Sequence, residues 1–214
     1  PGQDLSHIYK DLQFVSKLKP DHISYYSLIL EEKTMFNVWL KSGKIKLLDE
    51  DLEREMYHIA SKELENLGLK KYEISNFSKK SYESKHNLKY WNLDEYLGIG
   101  LGSSSYIDGY RFSNTRSFGK YLDKINSDIL PRENIEKISL RESYIEYIML
   151  KSRLVTSINI DEIKDRYDKD VLIEKKEELK SLKENGLIYI EGNNILLTDK
   201  GFDLENQVIL DLTS

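Results

Sequence analysis

The chain has 214 residues, which suits one large domain or two small ones. Its net charge of −5 argues against a nucleic-acid surface as the main function, because groove binding requires clustered positive charge. It contains no cysteine, so disulfides and Cys-ligated zinc or iron–sulfur centres are excluded within these residues, and no apolar run approaches the roughly 20 residues of a membrane span.

Helices and strands alternate in the first part of the sequence. Apolar spacing predicts a helix over 5–18, capped by Asp4 or Ser6. The nearly continuous apolar run 22–30 predicts a strand buried on both faces, as in a parallel sheet. Further segments are expected as helices at 34–41 and 49–67, a strand at 69–75, a glycine-rich strand at 98–107, a strand at 110–114 and a helix at 117–126. This order predicts an α/β fold with crossover helices.

Two local signals mark the ends of elements. Gly68 follows the third helix at the C′ position, where a left-handed backbone ends a helix. Asp108-Gly109 is a two-residue hairpin signal.

The composition changes at 129–138, where Pro131 and polar residues predict a linker. A capping box of Ser139 and Glu142 then opens a helix that runs to about residue 154. Later segments are expected as helices at 160–167 and 171–185, a hairpin at 187–198 and a last helix to about 210. Three helices and a hairpin predict a small winged-helix-like α+β domain over 138–214, with the α/β domain over 1–130. The mixed charge of 171–185 disfavours DNA binding.

The stretch 86–91 carries the clearest functional signal, and it reads His-Asn-Leu-Lys-Tyr-Trp. Imidazole and phenol both ligate haem iron, and indole and phenol rings can wall a flat apolar ligand. The alternative is a surface loop whose aromatic side chains anchor it to the core.

A second candidate is the triple glycine of Gly98, Gly100 and Gly102, followed by three serines. Glycines allow close approach of a ligand, and successive N–H groups can bind carboxylate or phosphate. It is not a dinucleotide fingerprint, since a hairpin and not a helix follows. The alternative is a strand that crosses another backbone closely.

Two further polar residues lie at strand ends. Glu73 ends a predicted strand, where ligands of α/β sheets bind, although a lone Glu there is more often solvated or salt-bridged. His22 stands at the opposite, starting end of its strand, which favours a structural hydrogen bond.

Five ordered segments together resemble one family. They are P-x-H-I-S-x-Y-x-L-x-x-E-x-x-T from Pro20, Y-E-I-S-N-F at 72–77, H-N-x-x-Y-W at 86–91, Y-L-G-I-G-x-G at 96–102 and L-T-x-K-G at 197–201. The chain resembles the C-terminal half of HemW-type proteins, which are radical S-adenosylmethionine (SAM) haem chaperones labelled oxygen-independent coproporphyrinogen III oxidase-like.

The resemblance implies the C-terminal part of a partial (β/α) radical SAM barrel, followed by a winged-helix-like domain. The family's first half carries a C-x-x-x-C-x-x-C motif that holds a [4Fe–4S] cluster. Because this chain has no cysteine and begins at Pro-Gly-Gln, we expect that half to lie outside it. SAM binding and the cluster are therefore implied for the full-length protein, and radical chemistry is not implied for this part alone.

Residue by residue, the family's haem motif falls on His86, Asn87, Tyr90 and Trp91. His86 is the candidate axial ligand of haem iron, with Tyr90 and Trp91 as pocket walls or an alternative oxygen ligand.

The SAM contacts implied by the family are of two kinds. By analogy with the decarboxylating oxidases, Leu28 and Ile29 would pack near the SAM adenine, and Gly98, Gly100 and Gly102 would approach the cofactor cavity. One departure is that the family often has Gly-Ala-x-Ser where this chain has Gly and three serines at 102–105.

These implications lead to three functional hypotheses. The first is a cytoplasmic haem chaperone that binds haem and passes it to a recipient protein. The second is an oxidase that decarboxylates porphyrinogen propionates. The third is a non-catalytic interaction module. A barrel remnant also has an open sheet edge, which predicts possible self-association.

Overall fold

The computed structural model describes residues 1–156 and 158–214 and divides into two compact units, 1–83 and 84–214. Each unit has a hydrophobic core of its own. Among the described residues, none of the helices combines the length and the apolar character that a membrane crossing requires. The domain division at 1–130 and 138–214 stays a prediction.

The first unit consists of three helices and a three-stranded antiparallel sheet of order β1-β3-β2. Its elements are α1 (Leu5–Leu18), β1 (His22–Ser24), α2 (Met35–Lys41), α3 (Glu50–Asn66), β2 (Lys70–Glu73) and β3 (Asn76–Ser78). Asp4 caps α1 as predicted, and Gly68 follows α3 with a φ of 82°. Ile8, Met56 and Ala60 form the core between α1 and α3.

The prediction of a long strand in a parallel sheet was wrong. β1 has only three residues, and it pairs antiparallel with β3, with Ile23 opposite Phe77. β3 is equally short, so the sheet offers no further partner, and the chain leaves it after Tyr25. The apolar side chains beyond that point are exposed by 65% at Tyr26, 51% at Leu28 and 80% at Ile29.

The second unit begins with a helix, an antiparallel sheet of order β4-β5-β6 and a further helix. The elements are α4 (Lys85–Trp91), β4 (Ser104–Ile107), β5 (Tyr110–Asn114), α5 (Phe118–Asn126) and β6 (Arg132–Lys137). Asp108 and Gly109 both have positive φ, which confirms the predicted tight hairpin.

Three predictions in this region need correction. The stretch 86–91 is a helix and not a loop, and the glycine-rich strand begins only at Ser104, because Gly100 and Gly102 take positive φ angles that a strand does not use. The predicted linker at 129–138 contains β6, which extends the hairpin sheet.

The rest of the second unit has the predicted winged-helix order. Its elements are α6 (Leu140–Lys151), β7 (Ile158–Asn159), α7 (Ile160–Tyr167), α8 (Val171–Glu174), α9 (Lys176–Glu184), β8 (Ile188–Glu191), β9 (Asn194–Leu197), α10 (Asp199–Asp203) and α11 (Glu205–Thr213). The capping box of Ser139 and Glu142 is present. Two predicted helices are each interrupted, at Lys175 and at Leu204.

Three buried tyrosines organise the core of this part. Tyr144 donates to the Leu212 carbonyl at 2.8 Å, and Tyr147 donates to Glu162 Oε2 at 2.8 Å. The ring of Tyr167 lies 5.5 Å from that of Tyr144 and 5.6 Å from that of Tyr147. Burial raises the pKa of Tyr144 to about 12 and also raises the pKa of Tyr147.

We therefore expect stability to fall in alkali. The unfolded phenol ionises near pH 10.0, whereas folded Tyr144 keeps its proton to about pH 12. Its contribution is complete below pH 10 and is lost as the pH rises towards 12, at about 1.4 kcal/mol per pH unit and phenol. Urea unfolding from pH 8 to 12 measures this slope. Tyr144→Phe should flatten it, whereas Tyr189→Phe, at an exposed position, should not; equal slopes in all three proteins would contradict the assignment.

A matched pair of glycines tests the packing of the same unit. A Cβ at buried Gly201 would lie 2.0 Å from the Leu187 carbonyl oxygen, whereas a Cβ at Gly119 meets no atom within 4 Å. We expect Gly201→Ala to lower the free energy of unfolding by about 1–3 kcal/mol. Gly119→Ala, in α5, should leave it unchanged or raise it by roughly 0.5–1 kcal/mol. Urea denaturation of both variants decides, and equal effects would refute the close approach.

Candidate functional site

The four residues of the haem motif lie on α4. Ser84 caps this helix by accepting from the Asn87 backbone N–H at 3.3 Å, and Asn92 ends it. His86 and Tyr90 are four residues apart and therefore neighbours on one side of the helix. Asn87 and Trp91 have the same spacing on an adjacent side. The helix could have been predicted from Ser84, a favourable N-cap residue, because no helix-breaking Gly or Pro follows it over 85–91.

The rings of His86 and Tyr90 are in contact. Their centroids are 5.0 Å apart at 88°, an edge-to-face arrangement. Tyr90 contacts a third ring, Tyr96, at 4.7 Å and 68°. His86 is exposed, and its ring nitrogens take part in no hydrogen bond within the part of the chain that the structure describes. The helix thus presents one available imidazole beside a phenol that is held between two rings.

Tyr96 belongs to this site, although sequence reasoning missed it. Its backbone N–H and C=O both bond to Tyr106 at 2.9 Å, which fixes it beside β4. Burial raises the pKa of Tyr96, so its phenol keeps its proton to a higher pH than an exposed tyrosine does. The available signal was its place at the start of the Y-L-G-I-G-x-G segment, but nothing in the sequence links it to Tyr90.

Arg111 lies in the same row of cross-strand neighbours as Tyr96. Tyr106 pairs with Tyr96 on one side and with Arg111 on the other, so the three side chains share one face of the strands. Arg111 donates from both terminal nitrogens to Glu146, at 2.9 and 2.8 Å, and this hydrogen bonding raises the pKa of Arg111. This row therefore begins with Tyr96, which contacts Tyr90 of α4, and ends with the ion pair of Arg111 and Glu146.

Trp91 is placed differently from His86. Its ring lies 5.5 Å below the Arg153 guanidinium, and it is only partly exposed. The indole N–H is buried and has no hydrogen-bond partner among the described residues. The structure therefore brings His86 and Tyr90 together and directs Trp91 towards Arg153.

The glycine segment is a loop held by its own hydrogen bonds. Gly98 donates to Ser105 Oγ at 3.0 Å, and Gly102 donates to the Thr115 carbonyl at 3.0 Å. Buried Asn114 donates to the Gly100 carbonyl at 2.9 Å. A Cβ at Gly98 would lie 2.2 Å from the Ser104 carbonyl oxygen. The need for glycine at position 98 is therefore explained by the close approach of two backbone segments, without a ligand. The N–H groups of Gly98 and Gly102 are already hydrogen-bonded and are not available to a carboxylate or phosphate.

Leu28 and Ile29 line a cavity in the first unit. Its volume is about 470 Å³, and apolar and aromatic side chains such as Tyr26, Phe36 and Met56 form most of its wall. Glu53 is the acidic residue in the lining. Such a wall suits a flat, mostly apolar ring system.

The two strand-end residues have structural roles. Buried Glu73 accepts from the Ser75 backbone N–H at 3.0 Å and from the Asn76 side chain, which closes the turn between β2 and β3. His22 Nε2 is bonded to the Tyr72 hydroxyl at 2.8 Å, as expected for a structural histidine.

Comparison with known proteins shows which family the chain resembles. A family model described as the HemN C-terminal domain matches residues 138–204. The haem chaperone HemW of Bacillus subtilis is 34% identical over 97% of this chain and 55% of that protein, and HemW of Lactococcus lactis is 33% identical over 97% and 54%. This chain is a homologue of the HemW-type proteins. It spans about half the length of these relatives.

The fold agrees as well. The solved structure of coproporphyrinogen III oxidase (HemN) from Escherichia coli, a radical SAM enzyme, matches with a TM-score of 0.73 and 16% identity. The match covers 100% of this chain and 52% of that one. At this identity the likeness concerns the fold, and it confirms the predicted fold class. The site residues of the HemW-type motif stay predictions. The structure shows only that they lie on one helix, with His86 beside Tyr90 and Trp91 beside Arg153.

Asn114 tests the structure of the glycine loop. Asn114→Ala removes the donor to the Gly100 carbonyl and to Ser103 Oγ. We expect hydrogen exchange of residues 98–103 to accelerate by about tenfold, as the loss of one or two hydrogen bonds allows. Asn126→Ala, at an exposed position on α5, is the control. Unchanged exchange in Asn114→Ala would mean that the loop does not depend on this side chain.

Proposed function

We propose that the intact protein is a haem chaperone, which binds haem and passes it to a recipient protein. The observation that carries the proposal is the exposed His86 imidazole, one turn from Tyr90 on α4. It occurs in a chain that is 34% identical to a HemW over 97% of its length. Haem is the cargo, and His86 is proposed as the axial ligand of its iron.

The proposed roles of the other motif residues follow from their contacts. Tyr90 and Tyr96 form an aromatic wall beside the imidazole, which suits the apolar face of a porphyrin. Tyr90 is the alternative oxygen ligand. Trp91 and Asn87 are proposed as haem-binding residues too, although the Trp91 ring contacts Arg153. A single protein ligand on an exposed helix suits cargo that must be released.

SAM is proposed for the full-length protein, with a [4Fe–4S] cluster whose cysteine ligands are not in this chain. The apolar cavity at Leu28 and Ile29 fits the adenine ring by its chemistry. The glycine loop of Gly98, Gly100 and Gly102 is proposed to approach SAM on the resemblance alone, because the N–H groups of Gly98 and Gly102 already donate to Ser105 Oγ and to the Thr115 carbonyl. When bound, SAM and the cluster would supply radical chemistry.

The remaining expectations are part of the same proposal. A cytoplasmic location and a haem-recipient protein are proposed on the resemblance. Self-association is proposed on the open edges of the three-stranded sheet in the first unit. Nucleic acid is not proposed as a partner, because the net charge is −5 and α9 carries both signs of charge. Porphyrinogen oxidation is supported only by a likeness of fold.

The proposal predicts the outcome of a haem titration. Wild-type protein should shift the Soret band at a stoichiometry of one haem, and His86→Ala should weaken affinity by about tenfold or more, as expected for a lost iron ligand. His7→Ala is the control, because His7 is also an exposed histidine but lies in the capping box of α1.

Three outcomes are informative. A His86→Ala protein with unchanged spectrum and affinity would refute His86 as ligand, and Tyr90→Phe then tests the phenol. Release of CO2 from coproporphyrinogen by the intact, cluster-loaded protein would favour the oxidase instead. Equal weakening in His7→Ala would indicate non-specific haem binding.

A further inference from the structure

The C-terminal end of the motif helix is attached by a nearly buried lysine to the winged-helix-like segment 138–214 of the same unit, the predicted C-terminal domain. Lys151, the last residue of α6, donates from Nζ to Asn92 Oδ1 at 2.9 Å. Asn92 is the residue that ends α4, directly after Trp91. The Lys151 side chain is only 12% exposed. Burying an ammonium group costs free energy unless the group is paired and hydrogen-bonded. Part of what offsets this cost is the hydrogen bond to the residue that ends α4.

The same ammonium group is fixed from the other side. It lies 3.5 Å from Glu162 Oε2 and 5.6 Å from the Tyr147 ring centroid. Glu162 in turn accepts from the Tyr147 hydroxyl and pairs with Arg166 at 2.7 Å. Glu162 of α7 and the Tyr147 ring therefore orient the Lys151 ammonium group independently of α4. Its hydrogen bond to Asn92 is preorganised for that reason.

A second contact reaches the helix one residue earlier. The Arg153 guanidinium lies over Trp91 at 5.5 Å and pairs with Glu205 at 3.8 Å. Glu205 is 11% exposed and accepts from Ser152 Oγ at 3.0 Å. Leu93, just beyond α4, packs against the core of the C-terminal domain. Three consecutive residues, 91–93, are thus held by this domain.

A helix of seven residues needs such support. Isolated helices shorter than about 12 residues are marginal in water, so the position of α4 depends on its tertiary contacts. His86 is exposed, and its neighbour Tyr90 is held by Tyr96 on the sheet side. Tyr90 and residues 91–93 all lie in the last turn of α4 or just beyond it, so these contacts fix the C-terminal end of the helix, one turn from His86.

We infer that Lys151 and Arg153 are positioning residues for the haem motif, and that holding α4 is a function of the winged-helix-like segment 138–214. Lys151 acts through Asn92, and Arg153 acts through Trp91. Neither needs to contact haem. The inference rests on the proposed haem-binding function and deepens it, since it assigns a role within haem binding to a domain that would otherwise suggest DNA recognition.

A double-mutant cycle on the intact protein tests the pair. Lys151→Met and Asn92→Ala each remove one partner of the 2.9 Å bond. Each should accelerate haem dissociation into excess apomyoglobin by about tenfold, as expected for the loss of a charge-assisted hydrogen bond. The double variant should be no faster than either single one, because both changes remove the same contact. Lys151→Arg should restore most of the slow rate.

The controls separate positioning from general destabilisation. Lys164→Met changes an exposed lysine of α7 and should leave the dissociation rate unchanged. All variants are compared well below their unfolding temperatures, checked by circular dichroism. A merely structural Lys151 would lower the unfolding temperature and leave the haem spectrum and dissociation rate of the folded protein at their wild-type values. Additive effects of the two single changes would likewise overturn the inference.

A second measurement keeps the inference separate from the proposed function. Without haem, Lys151→Met should increase hydrogen exchange of the α4 amides by about tenfold, and Lys164→Met should not. If wild-type protein binds no haem, the proposed function fails, and exchange alone decides whether Lys151 holds α4. If haem binds and exchange and dissociation are both unaffected, the positioning role is refuted while haem binding stands.

Discussion

The bond between Lys151 and Asn92 is the contact on which the arrangement of the haem motif depends. It joins the C-terminal end of α4 to the core of tyrosines through an ammonium group that is 12% exposed. A seven-residue helix has too few internal hydrogen bonds to hold its own orientation. Its side chains therefore have a defined direction only because other elements fix its C-terminal end, while Ser84 caps its first turn.

Close contacts between backbone segments also restrict which residues the chain accepts at two glycine positions. At Gly98 and Gly201 the chain passes so close to a carbonyl oxygen that a Cβ would overlap with it. Both glycines lie in segments that the resemblance singled out, Y-L-G-I-G-x-G and L-T-x-K-G. Gly98 and Gly201 thus have a packing explanation that needs no ligand. Gly100 and Gly102 are explained by the loop, because both take positive φ angles.

Local signals predicted structure better than periodicity did. Asp4, Ser139 and Asp108-Gly109 act through neighbours a few residues away, and each was confirmed. The apolar run at 22–30 was misread as a buried parallel strand, because apolar character cannot tell a core strand from an exposed cavity wall. The partners of α4 could not be predicted at all, since Lys151 is 59 residues from Asn92 and neither residue has a motif of its own.

The exposure of the motif differs from that of the contacts that hold it, and the difference bears on the proposed carrier function. His86 is exposed, whereas the contacts that hold α4 involve Lys151 and Glu205, exposed by 12% and 11%. A haem enzyme encloses its iron and tunes it through the surrounding pocket. A carrier that must hand its haem to another protein needs the reverse, an accessible ligand on a rigid support. Because each charge pair of this support has one nearly buried partner, Lys151 or Glu205, we expect a change there to alter the direction of the His86 imidazole, the proposed ligand, without contacting haem.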